Sequence, residues 1–222
     1  MFTNSRSIRL YLAATVLAVF GLAGSAQAQT AQACLAQQLR ASGRICQAFA
    51  RCYALAMKSG KAVDPACFSK GSQRLGTLFT GIEALALGSC LTEGADPALA
   101  TMLKDGVDPM AAALTLGGGQ CAGKKMGYLS KECSGYLGCY AAAAAVSSSL
   151  DPACLSKSQV KLTKTFSKAE NKGNCLTVND RATLEGMVAS LSDDVFALLR
   201  GSGTTTTTTT TTTPSPSTST VP

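Results

Sequence analysis

The sequence predicts an all-α fold made of two tandem three-helix units, each stapled by disulfides, about six helices in all, with a disordered Thr-rich tail. Three observations carry that prediction. Ten cysteines fall into two sets of five: Cys34, Cys46, Cys52, Cys67 and Cys90, then Cys121, Cys133, Cys139, Cys154 and Cys175. The gaps are 12, 6, 15 and 23 residues in the first set and 12, 6, 15 and 21 in the second, so the first four cysteines repeat at a shift of 87 and the fifth at 85. Both sets sit among Ala-rich segments, and alanine is the best helix former. No run of alternating apolar residues signals a strand.

The chain divides in order. Residues 1–28 read as a secretory signal: Arg6 and Arg9 form a basic start, Leu10 to Gly24 an apolar core too short for a membrane span, and Ala26-Gln27-Ala28 a cleavage site. An uncleaved membrane anchor and a lipid anchor on Cys34 are the lesser alternatives. Residues 29–116 form the first Cys-rich repeat, 117–120 a glycine linker, 121–200 the second repeat and 201–222 the Thr/Ser/Pro tail. The tail holds ten consecutive threonines, Thr204 to Thr213. Such a segment buries too little apolar surface to offset its ordering entropy. In an exported chain it suggests a mucin-like stalk or a passive tail.

Within each unit the helices follow one plan. The first helix runs from about Ala31 to Ser59, or Gln120 to Ser147, and Ser42-Gly43 is a candidate kink in the first copy. The second opens on Asp64-Pro65 or Asp151-Pro152, with Asp as N-cap and Pro at the first helical position. It ends near Gly88 or Asn171. The third opens at Asp96-Pro97 or Asn179-Asp180. In unit two, Leu184, Met187, Val188, Leu191, Val195 and Leu198 mark one apolar face. In unit one, Leu99, Met102 and Leu103 begin the same pattern, and Asp108-Pro109 is expected to break or restart the helix.

Several segments repeat beyond cysteine, among them Cys139-Tyr140-Ala141, Asp151-Pro152-Ala153-Cys154-Leu155-Ser156-Lys157, Phe166-Ser167-Lys168-Ala169-Glu170 and Gly173-Asn174-Cys175-Leu176-Thr177. On these residues the chain resembles a cysteine-rich helical repeat of predicted exported proteins from environmental bacteria. The resemblance covers most of Cys121 to Leu199 and, more loosely, Cys34 to about Leu114; unit one departs at Gly81, where unit two has Lys168. It implies a helical fold and no particular activity.

Helical geometry orders the cysteines. At 100° per residue, Cys34 and Cys52 share a face and Cys46 lies about 120° from both. An antiparallel hairpin with its turn near residues 60–64 sets Cys34 level with Cys90 and brings Cys52 near Cys67. The same geometry pairs Cys121 with Cys175 and Cys139 with Cys154. Cys46 and Cys133 remain, with three open fates: a bridge between the units, two buried free thiols, or a bridge to another molecule. A bridge would put a pseudo-two-fold axis at that point. The core is Ala- and Gly-rich, so the cross-links are expected to contribute several kcal/mol in total, at a typical ~2–4 each.

Function is bounded more by exclusion than by motif. The chain has no histidine, which removes Ser-His and Cys-His nucleophile pairs, His-ligated zinc and c-type haem attachment. Without the signal, 18 basic and 13 acidic residues leave a charge of +5, too small to argue for nucleic acid. An even cysteine count in an exported chain implies disulfides. The reading is therefore a non-enzymatic binding or structural module, secreted or periplasmic, without cofactor and without a transmembrane helix after signal cleavage. Its partners would be an envelope component, a polysaccharide or another protein. A thiolate protein holding Cu(I) or zinc is the first alternative and a carboxylate- or lysine-based enzyme the second.

Two features stand out as contacts. Lys157, Lys161, Lys164, Lys168 and Lys172 fall within about 80° of arc on one helix, a candidate contact for anionic lipid, polysaccharide or a partner, or simply a solvated face. Unit one keeps only Lys70 and Arg74 of that stripe. Glu83 and Glu170 occupy equivalent positions, and they read as helix-surface glutamates rather than a catalytic pair. The glycines at 117–119 lack the strand and helix of a phosphate loop.

Overall fold

A computed structural model describes residues 30–115, 118–172 and 175–201. The expected secretory signal, Gly117 of the expected linker and the tail beyond Gly201 lie outside the described residues. Among those described there are six helices and no strand: α1 (Ala31–Ser59), α2 (Pro65–Ala86), α3 (Asp96–Thr115), α4 (Gln120–Ala145), α5 (Pro152–Glu170) and α6 (Arg181–Leu199). The all-α expectation holds, and apart from the end of α3 the helix ends that the sequence placed fall within two residues of those positions.

Local chemistry explains the starts. The Asp64 carboxylate accepts from the Ala66 amide at 2.9 Å, and Asp151 accepts from Ala153 at 2.8 Å, each with proline in the first turn. Thr30 caps α1 in the same way, accepting from Ala33 at 3.2 Å. Asp180 precedes α6 and makes no cap hydrogen bond, because its carboxylate is turned inward.

The sequence expectation for α3 is corrected. The helix runs unbroken through Pro109 to Thr115. An interior proline removes one backbone hydrogen bond and crowds the preceding turn. Here Pro109 is exposed, so water can serve the freed carbonyl. On the other face Leu99, Leu103 and Val107 before it and Met110, Ala111 and Leu114 after it are all buried in one core. Burial on both sides of the proline outweighs its local cost. Ser42-Gly43 likewise leaves α1 continuous.

The helices share one core, in which α1 and α4 are central and have the most extensive contact. They run antiparallel: Gly43 lies against Ser134 and Leu137, and Gly123 against Ala54 and Lys58. The approach is close enough to demand glycine. A Cβ on Gly123 would stand 2.8 Å from the Ala54 carbonyl oxygen, and one on Gly43 would stand 3.3 Å from Ser134 Cα.

Five disulfides tie this arrangement. Cys34–Cys90 and Cys121–Cys175 close the open ends of the two helical hairpins, with Cα–Cα distances of 5.4 and 5.2 Å. Cys52–Cys67 and Cys139–Cys154 close their turns, at 6.0 and 5.8 Å. Cys46–Cys133 joins α1 to α4 at 6.2 Å, within the ~7 Å that a bridge allows. Those two residues are 87 apart, the same shift that separates the first four cysteines of the two sets. All ten sulfurs are consumed, so no thiolate is left to ligate a metal.

Candidate functional site

Two polar networks recur in both halves and are structural. In the second half, Lys125 is fully buried. Its Nζ lies 2.7 Å from Glu170, 2.8 Å from Asp180 and 2.7 Å from the Thr177 carbonyl, and it sits 5.5 Å from the centre of the Phe166 ring. A charge so deep needs its partners, since an unpaired ion there is strongly destabilising. In the first half the equivalent position is Gln38, also buried. Its amide donates to Glu83 at 3.4 Å and to the Thr92 carbonyl at 3.0 Å. Each network pins the loop before the third helix onto the first helix of its unit. Glu83 and Glu170 are thus not the solvated surface glutamates that the sequence suggested. Both are half-buried, held by internal partners, and line none of the cavities described below.

The second recurring element is a tyrosine–aspartate pair. Tyr53 donates to Asp108 at 2.6 Å, and Tyr140 donates to Asp193. Burial raises both phenol pKa values, and the adjoining carboxylates raise them further. These bonds link the first helix of each unit to the third.

The α1–α4 seam carries a feature found in neither network. A groove of about 320 Å³ is lined by Arg51, Ala54, Leu55 and Lys58 from α1 and by Lys124, Gly127, Tyr128 and Lys131 from α4. Both sets follow the 3, 4, 7 spacing of one helical face. Four cations and no carboxylate line it. Among the described residues none of those four cations forms an ion pair, whereas Lys104, Lys125 and Arg181 all do. A concave site walled by one sign of charge concentrates its field on an oppositely charged ligand. No protein-family model, curated protein or solved structure matches the chain. The site must therefore speak through its own chemistry.

Beside the groove, between α4 and α5, lies a smaller cavity of about 130 Å³. Tyr128 and Lys131 line both, so the two spaces are neighbours that share a wall. The smaller one also receives Glu132, Ser158 and Lys161. Glu132 is only 3% exposed. Its Oε2 accepts from the Ser158 hydroxyl at 2.8 Å, and its Oε1 is buried with no hydrogen-bond partner. Burial pushes this carboxyl above the usual carboxylate range; the Ser158 hydrogen bond opposes the shift, Glu185 adds to it and Lys161 opposes it. Next to it, Gln159 donates to the Tyr136 hydroxyl at 2.9 Å, and Arg181 pairs with Glu185.

The lysine stripe is exposed along α5, with Leu162, Phe166 and Ala169 buried behind it. Lys172 falls in the turn beyond the helix. Lys161 lines the smaller cavity together with Lys131. Sequence reading missed Arg51, Lys58, Lys124, Lys131 and Glu132. The signal was present in the repeat itself. At a shift of 87, Glu132 aligns with Ile45, Tyr136 with Phe49 and Ser158 with Gly71. A polar residue where the sister copy is apolar marks a departure from pure packing.

Proposed function

We propose that this protein is an exported, non-enzymatic binding module of the periplasm or extracellular space, and that its α1–α4 groove takes a linear acidic polysaccharide. The observation that carries the reading is the groove's four cations, Arg51, Lys58, Lys124 and Lys131, with no carboxylate in the lining and no ion pair to any of them among the described residues. Five disulfides fit a chain that folds in an oxidising compartment, and the Arg6 to Ala28 signal supports export. The tandem-repeat reading belongs to the same proposal, supported by the matched cysteine spacings and by a disulfide between equivalent positions.

A polysaccharide suits the site better than a bilayer because the cations converge in a concavity. One extended chain can enter it and a flat lipid surface cannot. Tyr128 offers a ring to the apolar face of a sugar, and the lysines of α5 extend positive charge beyond the groove.

The test is calorimetric titration of the mature protein with an oligogalacturonate, at low and at moderate salt. Binding is expected, weakening as salt rises, and neutral dextran should not bind. The double variant Arg51→Ala/Lys124→Ala should weaken binding about tenfold or more. Absence of binding at low salt, or affinity unchanged in that variant, would overturn the reading. Preferential binding to anionic vesicles would overturn it in favour of a lipid surface.

A further inference from the structure

We infer that Glu132 is a specificity residue that accepts a hydrogen bond from a sugar hydroxyl, beside the acidic group that Lys131 and Lys161 hold. This inference rests on the polysaccharide reading and deepens it, naming a hydroxyl-bearing acid, such as a uronate unit, as the ligand.

The first support is an acceptor without a donor. Glu132 is nine-tenths buried and more and lines the smaller cavity; one of its oxygens is served by Ser158, and the other is buried without a hydrogen-bond partner. Buried polar groups are almost always paired, and one that is not asks for an explanation.

The second support comes from the other half of the molecule. At the equivalent positions the fold closes with Ile45, Phe49 and Gly71, all buried. The Phe49 ring lies so close over Gly71 that a Cβ there would stand 2.4 Å from the ring. The fold therefore does not need a carboxyl at this place. The second half differs by a matched pair, Glu132 for isoleucine and Ser158 for glycine. Together they supply a carboxyl and the one hydroxyl that orients it.

The third support is elimination by charge. The free oxygen wants a hydrogen-bond donor. An ammonium donor would be repelled by Lys131 and Lys161, which line the same space. A bare anion carries no hydrogen and would be repelled by the carboxylate. A hydroxyl on a molecule that also bears an anionic group meets both demands. The groove, at about 320 Å³, falls in the ~300–1,000 Å³ range of ligand sites, and the cavity of about 130 Å³ that holds Glu132 adjoins it.

The experiment uses the full mature protein and two probes: an oligogalacturonate, which has hydroxyls and carboxylates, and inorganic polyphosphate, which has charge without hydroxyls along its chain. The variants are Glu132→Gln and the double Glu132→Ile/Ser158→Gly, which copies the first half. A buried hydrogen bond to a charged group governs about ten- to hundredfold in affinity. The double variant should therefore weaken oligogalacturonate by tenfold or more, with Glu132→Gln intermediate. Polyphosphate binding should stay within about twofold or tighten. If the double variant does not give a cooperative melt, Glu132→Gln alone decides. Equal weakening of both probes would mean a general loss of shape and would overturn the inference. So would oligogalacturonate affinity unchanged within twofold in proteins whose groove variants still lose binding. That last pattern leaves the groove reading standing, whereas failure of the groove variants removes the groove reading itself.

Discussion

Glu132 is a carboxyl placed where the sister helix keeps isoleucine, and its energetics can be read without any ligand. Its folded pKa is raised, chiefly by burial. A carboxyl of that kind holds its proton more tightly when folded. Its contribution to stability is complete below the ordinary carboxylate range and is lost as pH rises through the raised value. Glu132→Gln, which imitates the protonated form, should therefore melt higher than the parent at pH 7, by roughly 2–4 °C for about 1 kcal/mol in a chain of this size. The gap should close toward pH 4. Thermal melts from pH 4 to 8 check this, and a gap independent of pH would count against it. Single residues were also the least legible part of the sequence. Lys125 and Gln38 do the same task with different chemistry, so nothing in either residue alone announced the network. Tyr53–Asp108 and Tyr140–Asp193 span more than fifty positions, beyond the reach of any local pattern.

Elements were far more legible, because their starts are written in adjacent residues. Asp64-Pro65 and Asp151-Pro152 each specify a cap and a first turn, and the helices begin there. Pro109 shows where that logic stops. Its penalty is local, and its compensation lies in side chains one to ten residues away on the same helix, packed against other helices. Replacing it should expose the stored cost. Pro109→Ala restores a backbone donor at an exposed site and should stabilise the protein by about 1–3 kcal/mol, below or at the full interior-proline penalty. Urea unfolding followed by circular dichroism measures it. A loss of stability would mean that Pro109 supports α3 in some way other than by packing around it.

At the scale of the whole molecule the central fact is the covalent bond between α1 and α4. Cys46–Cys133 closes a loop of 87 residues, for which the chain-entropy argument gives about 4.6 kcal/mol. Cys46→Ala/Cys133→Ala should lose roughly that much, yet keep its helical spectrum, since the α1–α4 contact is also a continuous apolar interface. Collapse of the helical signal at 25 °C would show that the interface cannot stand without the bond. The framework was legible because disulfide geometry on helices depends only on turn position and angular spacing. The groove was not, because it exists only once two helices from different halves are side by side. The pairing has a further consequence for resistance to proteolysis. Every peptide bond from Cys34 to Cys175 lies inside at least one disulfide loop. One proteolytic cut anywhere in that span severs the backbone and still releases no fragment. Among the described helices α6 alone lies beyond the last loop, so a nick between Cys175 and Arg181 would detach the one piece that only packing retains.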